Sequence, residues 1–133
     1  MKPRAGALIL LFGLTAAQEK SVRTAGLQWG LRCRAVPAAH YNRTMTQLLT
    51  GKSDAADYDG PVPDVQALLL AGIPGSILQP FLQKLRKAGL PASVMKAVLT
   101  EQNSGWTALT LLEELQREHA ALTAGENTVH MSS

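Results

Sequence analysis

Residues 7–15 read ALILLFGLT and residues 66–74 read QALLLAGIP, and the likeness of these two stretches decides the fold. Each is a continuous apolar run closed by a glycine, Gly13 in one and Gly72 in the other. A run of that kind suits a strand covered on both faces. The likeness extends downstream: Trp29-Gly30-Leu31 answers to Ala88-Gly89-Leu90 at the same spacing, and after a slip of about three residues Arg34-Ala35-Val36 answers to Lys96-Ala97-Val98 and Leu48-Leu49 to Leu111-Leu112. A missed repeat misassigns a whole fold, so it is weighed first. The unit reads strand, helix, strand, helix, and it occurs twice.

The details of each unit agree with that reading. Thr15-Ala16-Ala17-Gln18 has capping-box spacing, which predicts a helix from Ala16 to about Trp29 with Val22, Ala25, Gly26 and Trp29 on one stripe and Gly30 as its stop. Residues 31–36 follow as a strand, and a loop through His40 leads to a short helix ending near Gly51. Residues 51–64 form an acidic connector with Asp54, Asp57, Asp59, Asp64, Gly60, Pro61 and Pro63, a polar, turn-rich and mobile composition. In the second unit, residues 65–71 and 94–99 read as strands, and Ile77, Leu78, Phe81, Leu82 and Leu85 stand at helical spacing between them. A loop over residues 100–105 precedes a final helix over 106–122. Its inward stripe is Ala108, Leu111, Leu112, Leu115 and His119, and Glu113 and Arg117 make an exposed pair. Residues 123–133 lack periodicity and read as a frayed tail.

The expected fold class is therefore α/β. Two tandem β-α-β-α half-repeats, about 7–50 and about 65–122, should form one mainly parallel four-stranded sheet with packed helices, because each crossover forces a parallel pair. The order of the strands is left open.

Composition narrows the function. The chain has 133 residues, 46% hydrophobic and 17% charged, which is one globular domain. A net charge of +3, with Lys and Arg scattered, argues against nucleic acid. Cys33 is alone, so it neither staples the fold nor builds a thiolate metal site, and it reads as a small core residue. Asp57-Tyr58-Asp59-Gly60 lacks the later ligand positions of a calcium loop. No metal or cofactor is expected. The opening Met1-Lys2-Pro3-Arg4, apolar run and Thr15-Ala16-Ala17 have the outline of a secretory signal, but the run is too short to cross a bilayer. The same run occupies a strand position of the repeat, so a cytoplasmic chain is expected, with secretion the alternative if residues 1–17 act as a signal.

In open α/β sheets, ligands favour the crevice at the carboxyl ends of the strands. Residues 13–15, 38–42, 72–74 and 100–106 would gather there. They contain no phosphate loop, nucleophile elbow or dinucleotide fingerprint. His40 is the sole candidate base and reads mainly as a loop histidine. The segment Lys96-Ala97-Val98-Leu99-Thr100, with Asn103, Trp106, Leu111-Leu112-Glu113-Glu114-Leu115 and Glu118-His119, resembles the bacterial family called domain of unknown function 3783. Gly105 departs from the family pattern, which leads one to expect a larger polar residue there. The resemblance implies no activity. Asn103 would cap the final helix, Trp106 would anchor it to the sheet, and both could line a ligand pocket with Thr100.

The expected function is a small non-catalytic binding or regulatory module. The alternatives are a small-metabolite-binding domain lined by Thr100, Asn103 and Trp106, and an enzyme, completed in an oligomer, with His40 as base. Partners would be a protein or a small molecule, not nucleic acid or membrane. A homodimer would cover the edge strands of the sheet.

Overall fold

A computed structural model describes residues 7–53 and 55–132, with the side chains from 122 onward outside the described set. Four strands run as β1 (Leu8–Phe12), β2 (Arg32–Val36), β3 (Ala67–Ala71) and β4 (Met95–Val98). The helices are α1 (Ala16–Gly26), α2 (Met45–Thr50), α3 (Gly75–Lys87), α4 (Glu101–Ser104) and α5 (Ala108–Ser132). Of the frayed tail expected over residues 123–133, residues 123–132 fall on the end of α5 with their side chains outside the described set, and residue 133 lies outside the described residues.

Every residue of β1 and β3 is buried, which is why their sequences show no alternation. Ile9, Leu11, Leu68 and Leu70 face one helical layer with Val22, Ala25, Phe81 and Leu85. Leu8, Leu10, Phe12, Ala67 and Leu69 face the other with Met45, Leu48, Leu111, Leu112 and Leu115. The sheet is thus sandwiched, with α1 and α3 on one side and α2 and α5 on the other.

The sheet is mixed, and this corrects the expectation of a mainly parallel one. Its order is β2-β1-β3-β4. The pairs β1–β2 and β3–β4 are parallel, as the crossover rule demands. The central pair β1–β3 is antiparallel, with Leu8 opposite Ala71, Leu10 opposite Leu69 and Phe12 opposite Ala67. The crossover rule acts within each strand-helix-strand unit and leaves the joining of two units to other forces. Burial supplies the reason for this joining. The two wholly apolar strands shield each other's edges in the centre, and the basic residues Arg32, Arg34 and Lys96 go to the exposed edge strands, where charge discourages further pairing.

Local structure follows the expected signals with four differences. The capping box of α1 is present: Thr15 N donates to Gln18 Oε1 at 2.8 Å, and Gln18 N donates to Thr15 Oγ1 at 3.2 Å. However, α1 ends at Gly26, and Leu27–Trp29 tighten into a 3-10 turn. Trp29 is half-buried, with its ring edge-on to Phe81 and beneath the Lys84 ammonium. Residues 101–104, expected as loop, form α4, because Thr100 and Asn103 supply a capping box of their own. His119 is exposed, since the buried stripe of α5 stops at Leu115. Arg117 pairs at 2.6 Å with Glu114, three residues before it, rather than with Glu113, four before it.

Gly13 and Gly72 close the central strands with φ of 71° and 70°, a region costly for other residues. At Gly13 an added Cβ would also come within 3.1 Å of the Val65 carbonyl oxygen.

Candidate functional site

The antiparallel centre separates the strand ends. Those of β1 and β2 open at one end of the sheet, and those of β3 and β4 at the other. No common crevice at four carboxyl ends exists. Residues 106–109 and residues 41–45 nevertheless meet, through main chain, on the side of the sheet that bears α2 and α5. Met45 N donates to the Trp106 carbonyl and Ala108 N to the Arg43 carbonyl, both at 2.9 Å, and Leu109 N donates to the Tyr41 carbonyl at 3.0 Å.

The polar groups of Thr100 and Asn103 are turned inward. Asn103 is buried, its Oδ1 accepts from Thr100 N at 2.8 Å, and its Nδ2 donates to the Val98 carbonyl at 3.0 Å. Asn103 N donates to Thr100 Oγ1 at 3.1 Å, which closes the box around α4. The cap expected from Asn103 at the final helix is instead made by Thr107, whose hydroxyl accepts from Thr110 N at 3.2 Å. Trp106 packs half-buried against the cluster containing Met45 and Leu112. His40 ends a 3-10 turn, Ala38–His40, beyond β2, half-buried among Arg34, Arg43 and Gln47.

A cleft of about 610 Å³ lies where β1 ends and β3 and β4 begin. Its floor is Gly13, Gln66 and Met95, one wall is the connector segment Val62 to Val65, and Tyr41, Gln116 and His119 close the other side. The connector wall is docked, contrary to the mobile stretch expected from its composition. Tyr58 N donates to the Ala39 carbonyl at 2.8 Å, Asn42 Nδ2 to the Ala56 carbonyl at 2.9 Å, and Tyr58 Oη to the Pro61 carbonyl at 2.6 Å. Gln66 is fixed at the base: its Nε2 donates to the Gly13 carbonyl at 3.0 Å and to Gln18 Oε1 at 2.7 Å.

The polar groups of this cleft are gathered around Tyr41. Tyr41 is buried edge-on to Phe12, and desolvation raises its hydroxyl pKa, so it stays a protonated donor. Around it stand amides from Gln66 and Gln116, the Ser93 hydroxyl, the exposed Asp64 carboxylate and the His119 imidazole. Among the described residues no three His, Cys, Asp or Glu side chains gather as a metal-binding group. Among the same residues, no helix is long and apolar enough to cross a membrane.

Tyr41 lies within the 38–42 segment expected at a strand end, but Asp64 and Gln66 escape sequence reasoning that looks to carboxyl ends, since β3 and β4 contribute their amino ends. One signal was present: Pro61 and Pro63 stiffen the chain just before an apolar strand, which marks a built wall.

Residues 66–122 match the model of the family described as "Domain of unknown function (DUF3783)". Comparison with curated proteins and with solved structures gives no match. The stretch from β3 to the buried part of α5 therefore resembles that family of unknown function.

Proposed function

We propose that the chain is a non-catalytic binding or regulatory module that holds a small polar metabolite in the cleft between the connector and α5. The observation that carries this reading is the cleft's construction. It is about 610 Å³, within the range of small-molecule sites, with a fixed amide floor and a protonated tyrosine for orientation.

The tandem half-repeat belongs to the same reading. Leu10 and Leu69 hold equivalent places in the two halves and pair with each other. Thr44 and Thr107 are likewise equivalent, and they bridge each other. The reciprocal bonds Met45 N to Trp106 O and Ala108 N to Arg43 O repeat the pattern. A residue meeting its own counterpart is the mark of a two-fold arrangement. One domain of two such halves, in the cytoplasm of a bacterium, completes the proposal. Cleavage after Ala17 would remove β1, whose side chains are buried on both faces of the sheet, which supports retention in the cytoplasm.

A thermal-shift screen of the full chain against nucleotides, amino acids, sugar phosphates and divalent metals tests this. A ligand at a hundred times its dissociation constant adds about 2.7 kcal/mol, enough to move the melting point by several degrees. The shift should shrink in Tyr41→Phe and Gln116→Ala, with unliganded melting points near that of the parent. A stabilising ligand indifferent to both variants, or a flat screen, contradicts the proposed site.

A further inference from the structure

A second cleft, of about 240 Å³, opens beyond the end of β2 against α2 and shares no lining residue with the first. It is lined by Arg34, His40, Arg43 and Gln47 among small and apolar neighbours, with no acidic residue among the described ones. Two guanidinium groups and an imidazole converge on a space of roughly eight water volumes, at about 30 Å³ each. The chain's basic residues are otherwise scattered over its length.

Arg43 is the most informative of the three. Its side chain is only 18% exposed, and its one ion-pair partner among the described residues, Asp57, stands at 3.7 Å and is itself 76% exposed. That is well beyond the 2.7–2.9 Å of a charge-assisted hydrogen bond. Arg43 Nε is buried and has no hydrogen-bond partner among the described residues. A guanidinium held this far from water with so loose a counter-ion is a charge awaiting compensation. Arg34 is positioned beside it. One of its terminal nitrogens donates to the Leu48 carbonyl at 2.6 Å, which steers the planar group while leaving further N–H donors of the fork for other partners.

We propose that this cleft binds a small oxyanion, the phosphate or carboxylate group of a metabolite, through Arg34 and Arg43 with His40 at its side. Guanidinium groups suit this task because their fork matches phosphate and carboxylate oxygens. A comparison that rests on the half-repeat reading above strengthens the assignment. The turn bond from Arg43 N to the His40 carbonyl, 3.1 Å, has its counterpart in that from Trp106 N to the Asn103 carbonyl, 3.0 Å. The same backbone turn thus carries an inward cap and a packed ring in one half, and a histidine and an arginine beside an open cleft in the other. The cleft itself does not depend on that comparison, nor on the larger site.

Titration calorimetry of the full chain with inorganic phosphate, at ionic strength held constant with chloride, tests the proposal. The parent should bind phosphate, Arg34→Gln and Arg43→Gln should each weaken it at least tenfold, and Arg32→Gln, which removes an exposed charge from the same strand outside the cleft, should leave it unchanged. Arg34 is exposed, so its variant guards against a folding defect in Arg43→Gln. Acetate titrated in parallel identifies the group: comparable heat extends the site to carboxylates, and heat from phosphate alone restricts it to phosphates. No phosphate binding by the parent, or equal weakening in Arg32→Gln, overturns the proposal.

Discussion

Asn103 and His40 show how far single residues could be understood from their neighbours in sequence. Asn103 three residues after Thr100 is a legible capping spacing, but which helix it serves depends on α4, a four-residue element too short for any periodicity. Once α4 forms, the Asn103 amide has main-chain partners on both sides, Thr100 N and Val98 O. Asn103→Ala would orphan both, and it should cost about 2 kcal/mol in urea unfolding while leaving any ligand response of the larger cleft unchanged. An unaltered midpoint would contradict that structural role. His40 was visible as a lone histidine in a loop. Its company, Arg34 and Arg43, depends on the crossing of β2 with α2 and has no linear signature.

Lys96 adds a pH-dependent effect at the same scale. Desolvation, and then the nearby Arg86 charge, lowers its pKa in the folded chain. The unfolded chain therefore holds this proton more tightly, so stability rises with pH between the folded value and the ordinary lysine value, and the penalty is present in full below the folded value. Lys96→Met should raise the urea midpoint at neutral pH, and the advantage over the parent should fade at alkaline pH. Taking the difference between the two chains removes the opposite alkaline effects of Cys33 and Tyr41, whose pKa values are raised by burial. A difference that stays constant across pH would contradict this account.

At the scale of elements, most of the order was readable because each unit carries its own punctuation. Apolar runs ended by Gly13 and Gly72 became β1 and β3, and Thr15 with Gln18 began α1. The joining of the two units was not readable. Parallel pairing inside a unit follows from crossover handedness, whereas the antiparallel β1–β3 seam depends on burying two apolar strands side by side, which no local pattern states. If β1 and β3 are equivalent halves of that seam, residues 66–122 expressed alone should pair β3 with a second β3 about Leu69 and sediment as a dimer. A folded monomer of that segment would contradict the half-repeat reading.

For the whole molecule, composition excluded much and located little. Scattered basic residues and a lone cysteine removed nucleic acid and thiolate metal sites from the expectations, yet both clefts arise from packing. The connector, read as mobile from its aspartates and prolines, became the wall of the larger cleft because Ala56 and Tyr58 are tied to Asn42 and Ala39, and Tyr58 in turn holds Pro61. The central claim is that this chain binds without transforming what it binds. Native mass spectrometry of the full chain, incubated with the ligand that stabilises it most, tests this directly. The account predicts a complex of one ligand per chain, with the released ligand unchanged in mass. Product accumulating beyond one equivalent per chain would contradict it.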